Sequence, residues 1–239
     1  MNLSEIKDNI LNILFPKVCF SCQRDIPAEE KDILCLECVK KLVYINKPYC
    51  EICGIKIDGG SLCYNCKRRS KKFNFEFSRS VFMYGDEISS LIIAWKYRRI
   101  DWLTDWFSAK IIEGLKDHWE FDSYDYITYI PLHYKKLRKR GFNQTELLAA
   151  QISKKSGLKL IKDSVEKTID SKSQTKLSAN EREENIRGVF KVIKPDEIKF
   201  KKIILIDDVA TTMSTLNEMA GVLVKSGAEK VSCFTIARE

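Results

Sequence analysis

The sequence predicts an α/β protein, a parallel sheet flanked by helices, with a small metal-stapled module in front. Two observations predict it. The run Ile203–Ile204–Leu205–Ile206 is continuously apolar and leads through a short polar stretch into a helical pattern, as in a strand covered on both faces of a parallel sheet. The first third of the chain instead carries four C-x-x-C pairs among few large apolar residues. The chain has 239 residues, enough for one good-sized domain and a small one. With 44% apolar and 31% charged residues it is ordinary for a globular protein. No apolar run approaches the roughly eighteen residues of a membrane span.

In order, Leu3, Ile6, Ile10, Ile13 and Leu14 recur at helical spacing until Pro16, so residues 1–18 read as an amphipathic helix that docks the N-terminus. Its polar face is mixed rather than basic, which argues against a membrane helix. Glu5 and Asp8, with no small-residue cleavage pattern, argue against a signal peptide, so a cytoplasmic protein is expected.

Residues 19–70 form the second unit. Its pairs are Cys19/Cys22, Cys35/Cys38, Cys50/Cys53 and Cys63/Cys66, with gaps of twelve, eleven and nine residues. Each C-x-x-C turn offers two sulfurs to one metal, and two turns complete a tetrahedral site, so two structural Zn²⁺ ions are expected. Metal would supply the stability that the segment's sparse apolar content cannot. Sequential pairing gives two stacked ribbons; an interleaved cross-brace uses the same ligands. Each loaded four-thiolate site carries −2, so two would offset half of the formal +8, and charge alone does not argue for nucleic acid. A ribbon module either binds nucleic acid or protein or simply stiffens the N-terminus. Lys67, Arg68, Arg69, Lys71 and Lys72 then make a basic stretch, either solvated or tracking a phosphate backbone.

The third unit covers 71–239. Phe73–Tyr84 alternates as one or two strands, and Asp86–Lys116 reads as helix with Leu91, Trp95, Leu103, Trp106, Phe107 and Ile111 toward the core. Lys96, Arg98 and Arg99 are expected to face solvent rather than an anion. Tyr124–Ile130 is the next strand; Pro131, a basic loop and a helix from about Asn143 follow. Thr168–Phe190 is polar and then briefly helical, with Ser178 as N-cap and Glu181 at the capping-box position. Val231–Ala237 closes the chain as a strand, with Cys233 a buried small residue.

The chemistry centres on Lys201–Thr215. Ligands of parallel sheets bind beyond the strands' carboxyl ends, where a helix N-terminus favours phosphate. Thr211, Thr212, Ser214 and Thr215 add hydroxyl donors there. Asp207 and Asp208 would repel that phosphate unless they serve separate partners, namely ribose hydroxyls or a phosphate-bound Mg²⁺. Hydroxyls, Mg²⁺ and a 5′-phosphate together describe phosphoribosyl pyrophosphate (PRPP). The stretch closely resembles the PRPP-binding motif of type I phosphoribosyltransferases, which assigns Asp207 and Asp208 a catalytic role and Val209, Ala210, Thr211, Thr212, Met213, Ser214 and Thr215 to PRPP. Met213 stands where that family usually has Gly, which adds bulk and strain.

A second resemblance covers essentially the whole chain. Pro131, Leu132, His133, Arg138, Arg140, Gly141, Phe142, Asn143, Gln144, Leu147, Leu148 and Ala149 follow the ComF pattern P-L-H…R-x-R-G-F-N-Q-x-x-L-L-A. Gln174, Leu177, Ser178, Arg182, Asn185 and Phe190 follow a second ComF segment. The resemblance implies a type I phosphoribosyltransferase-like domain behind a double zinc ribbon. It implies a pyrophosphate loop carrying His133, Lys136, Arg138 and Arg140, and a lid with Gln174, Lys176 and Arg182. It also implies a link to competence and DNA uptake. Two functions are compatible with it. One is a phosphoribosyltransferase using PRPP and Mg²⁺ on an unnamed acceptor. The other is a scaffold that binds single-stranded DNA or a competence helicase.

Overall fold

The computed structural model describes residues 17–27, 33–98, 100, 102–116, 123–170, 181 and 185–239. The N-terminal helix expected over 1–18 lies outside them save for its last two residues. So do Gln174, Lys176 and Arg182 of the expected lid, and Ser178.

The strands in chain order are β1 (Ser78–Met83), β2 (Tyr126–Tyr129), β3 (Lys159–Leu160), β4 (Val165–Lys167), β5 (Phe190–Val192), β6 (Lys202–Ala210) and β7 (Lys230–Arg238). The helices are α1 (Leu36–Lys40), α2 (Tyr64–Arg68), α3 (Asp86–Tyr97), α4 (Trp102–Lys116), α5 (Tyr134–Arg140), α6 (Gln144–Ser156) and α7 (Ser214–Lys225). Five strands form one parallel sheet in the order β1-β7-β6-β2-β3, and β4 and β5 pair antiparallel beside it. The expected fold class is met.

The continuous apolar run of β6 is explained by its central place. Side chains alternate across a strand, so Ile204 and Ile206 enter one core while Ile203 and Leu205 enter the other. The first core holds Ile88, Leu91 and Trp95 of α3, Leu103, Phe107 and Ile111 of α4, and Leu148 and Ile152 of α6. The second holds Leu216, Met219, Ala220 and Leu223 of α7. Helices therefore cover both faces, as a buried parallel sheet requires.

Phe73–Tyr84, expected as one or two strands, holds one, β1, preceded by Phe73 and Phe75 stacked at 4.7 Å. Two expectations need correction. Asp86–Lys116 is two helices, not one: the Trp95 indole donates to Thr104 Oγ1 (2.9 Å) across the break, and both apolar stripes face one core, so periodicity carries no mark of the interruption. The basic segment after Pro131 is a helix, α5, closed by Gly141 at φ 86, because nothing between Tyr134 and Arg140 breaks helix. The strand β6 passes through both acids. It runs on to Ala210 because β7 continues alongside, Val209 opposite Ala237 and Ala210 opposite Arg238.

The ribbons grip the β1 edge. Ile45 N–H donates to Val81 O (2.9 Å) and Met83 N–H to Val43 O (2.8 Å), which occupies backbone groups an edge strand would leave open. The second ribbon's knuckle approaches so closely that a Cβ on Gly54 (φ +69) would lie 2.4 Å from Ser78 O.

Candidate functional site

From β2 the chain crosses outward to β3, and from β6 it crosses the other way to β7, so the sheet's switch point lies between β2 and β6. At their carboxyl ends is a crevice of about 750 Å³, where parallel sheets place ligands.

One wall is the β6–α7 turn. Asp207 and Asp208 stand in the carboxyl-terminal half of β6, just before Val209 and Ala210, and Met213, at φ 67, turns the chain into α7. Thr212 Oγ1 lies 2.8 Å from Ser214 Oγ. The turn is held from beneath by buried Arg238, whose Nη1 donates to Ala210 O (3.1 Å) and to Thr211 O. The opposite wall is built by α6, whose start is fixed by Asn143. That side chain accepts from Thr145 N–H (3.2 Å) and donates to Ile130 O (3.1 Å) at the end of β2.

Of the residues assigned to PRPP, Val209, Ala210, Thr211, Met213, Ser214 and Thr215 line the crevice together with both acids. Thr212 stands just behind, bonded to Ser214. Lys136 and Arg140 line it too, joined by Lys139. Arg138 is exposed on the outer side of α5. His133 is buried with its Nδ1 unbonded, 3.8 Å from the Asp170 carboxylate, which is too long for a hydrogen bond.

Two lysines were not anticipated. Lys96, expected in solvent, reaches into the crevice and pairs with Asp208. Its signal was one turn of spacing: it follows buried Ile92 by four residues and so continues the inward face of α3. Lys167, at the end of β4, also lines the crevice. Burial, aided by the Lys136 ammonium, pushes Lys167 down to about 8. Tyr97 and Gln144 complete this side: Arg140 stacks over Tyr97 at 5.1 Å and donates to Gln144 Oε1 (2.6 Å), and Gln144 donates to Lys96 O (3.3 Å).

The acids differ in state. Burial, and then repulsion from Asp208, push the Asp207 carboxyl well above its ordinary value. Burial also disfavours charge on Asp208, but the Lys96 ammonium and the Val209 N–H (2.7 Å) outweigh it and hold that carboxyl low. Asp208 thus stays ionised with both oxygens engaged, while Asp207 accepts from Asp208 N–H (2.8 Å). Cationic and hydroxyl groups dominate the rest of the crevice. The arrangement suits a polyanion that also carries hydroxyls. Mg²⁺ fits as an ion brought by phosphate oxygens, on condition that Lys96 leaves Asp208.

The metal module is distinct from this crevice. Cys19, Cys22, Cys35 and Cys38 form one cluster and Cys50, Cys53, Cys63 and Cys66 the other, with the sulfurs of each within 4.8 Å of one another. Cys22 and Cys35 Sγ are 3.7 Å apart, as are Cys53 and Cys63 Sγ. Tetrahedral zinc with Zn–S bonds of about 2.3 Å needs sulfurs roughly 3.8 Å apart, so both clusters fit it. The wiring is sequential, and the interleaved alternative is excluded. Cys233, in β7, is buried and takes no part.

Residues 10–67 match the family model of the double zinc ribbon domain. Competence protein F of Haemophilus influenzae is 27% identical over 228 residues, covering 92% of this chain and 96% of its own. Competence protein ComFC of Bacillus subtilis is 29% identical, covering 86% of this chain and 84% of its own. DNA utilization protein YhgH of Escherichia coli is 25% identical, covering 93% and 97%. Among the described residues no helix is long and apolar enough to cross a membrane. Over most of its length, then, the chain is a homologue of the ComF-type competence and DNA-utilization proteins, with a double zinc ribbon at its N-terminal end.

Proposed function

We propose that the crevice binds PRPP with Mg²⁺ and transfers its phosphoribosyl group to an acceptor, in the competence and DNA utilization that the names of its relatives indicate. The observation that carries this reading is the placing of a buried acid pair, a hydroxyl-rich helix start and a cluster of cations around one crevice at the sheet's switch point. Asp207 and Asp208 accept from ribose hydroxyls. Backbone N–H groups at the start of α7, with Thr211, Ser214 and Thr215, take the 5′-phosphate. Lys136, Lys139, Arg140 and Lys167 face the pyrophosphate. Bound Mg²⁺ would supply further charge neutralisation on the departing pyrophosphate. Charge that builds on the leaving group is met by fixed cations, so positioning and electrostatics carry the rate.

Calorimetric titration of the zinc-loaded protein with PRPP and Mg²⁺ tests this. Wild type is expected to bind, and Asp207→Asn/Asp208→Asn to lose roughly tenfold or more in affinity as the charged acceptor on Asp208 is neutralised and the carboxyl hydrogen bonding of Asp207 is lost. Absence of binding by wild type overturns the reading. A scaffold for single-stranded DNA or a helicase partner is then favoured by a specific feature. Tyr64 is exposed on α2 with Arg68 over its ring at 5.2 Å, followed by exposed Arg69, Lys71 and Lys72, an aromatic and basic strip suited to bases and phosphates.

A further inference from the structure

Lys96 and Asp208 form an ion pair inside the crevice itself, which is unusual company for residues expected to receive a ligand. Two adjacent buried carboxylates repel, and neither is tolerated ionised without a partner. Lys96 supplies that partner from a distant part of the chain. Its main chain is anchored, since Lys96 O accepts from Gln144, which is bonded to Arg140, which in turn stacks on Tyr97. Its side chain is a flexible four-carbon stem that retains some exposure toward the crevice. The ammonium occupies the Asp208 oxygen that the Val209 N–H leaves open.

We infer that Lys96 is a tethered counter-ion for the acid pair. It takes the place on Asp208 that a divalent cation would take, and moves to the ligand's phosphate when metal and polyphosphate arrive together. The pair is thereby closed to free divalent cations, and metal enters only with its anion. This rests on the anion-binding reading of the crevice, but its test does not require PRPP to bind.

Mn²⁺ alone is the probe, read by electron paramagnetic resonance on the zinc-loaded full chain. Wild type is expected to bind it weakly. Lys96→Gln, which leaves Asp208 an uncompensated buried charge, is expected to bind it roughly tenfold or more tightly. Lys96→Gln/Asp208→Asn is expected to return to the wild-type level. A folded Lys96→Gln protein with no gain in Mn²⁺ affinity overturns the inference. Asp208→Asn provides an independent arm should Lys96→Gln not fold. Lys96, released from its carboxylate, should then bind metal-free pyrophosphate about threefold or more tightly than wild type does. No gain there overturns the inference equally. If PRPP fails to bind wild type while Lys96→Gln gains Mn²⁺, the phosphoribosyl reading falls and the counter-ion assignment stands.

Discussion

Met213 turns β6 into α7 in the left-handed region, φ 67, where the resembling loops carry Gly. The strain was legible in the sequence, because only the identity of one residue was needed to see it. The compensation was not. Met213 is 3% exposed and packs in the core under α7, so its side chain serves the fold while its backbone is strained. Loss of a buried Met side chain costs about 2–5 kcal/mol. Relief of left-handed backbone returns only about 1–2 kcal/mol. Met213→Gly should therefore destabilise the protein by about 1–3 kcal/mol in chemical denaturation. A gain in stability would show that strain, not packing, dominates at this turn. Lys96 illustrates the opposite limit of sequence reading. Its place on a helix face was readable, but its partner Asp208 is far away in the chain and only the fold brings them together.

At the level of elements, the sequence was most informative where pattern and burial coincide. The continuous apolar run of β6 marked a strand covered on both faces, and Asn143 followed by Leu147, Leu148 and Ile152 marked α6. It was least informative at α5, where lysines and arginines announce charge whatever conformation they adopt. The four C-x-x-C turns named their metal but not their pairing, which only the distances between sulfurs decide. Asn143 shows how one residue can fix an element to the site. Its side chain caps α6 through Thr145 N–H, accepts from Thr145 Oγ1 (2.7 Å) and ties the helix to Ile130 O. Asn143→Ala should cost about 1–2 kcal/mol, the range of a lost cap. The Thr145 hydroxyl, released from Asn143, could then donate to Ile130 O at 2.7 Å, so no orphaned carbonyl adds to that cost. Thermal or urea denaturation measures it. An unchanged midpoint would mean that Thr145 alone suffices to set the turn.

Across the whole molecule, the ribbons are not an appendage. Cys19, Ile33, Leu34 and Leu42 of the first share a core with Trp95 and Phe107, on the α3, α4 and α6 side of the sheet. Cys50 and Cys53 of the second share the core under α7, on the other side. The segment between them zips along β1, and Arg79 in β1 donates to Glu51 O (2.9 Å) with its guanidinium between the Tyr49 and Phe77 rings. Zinc sites of four thiolates have no open position for chemistry, and their binding energy is folding energy. That energy is spent on both faces of the sheet at once. Zinc removal by a chelator, or Cys53→Ser in the second cluster, should then lower the stability of the entire chain in one cooperative transition. Released thiols and the fluorescence of buried Trp95 should change together along a denaturation curve. If the thiols were released first, with a second transition for the indole left at its original midpoint, the two cores would be energetically independent despite their contact. The single transition is expected because the two ribbons contribute side chains directly to the cores that cover β6 and β7, the strands that position the crevice.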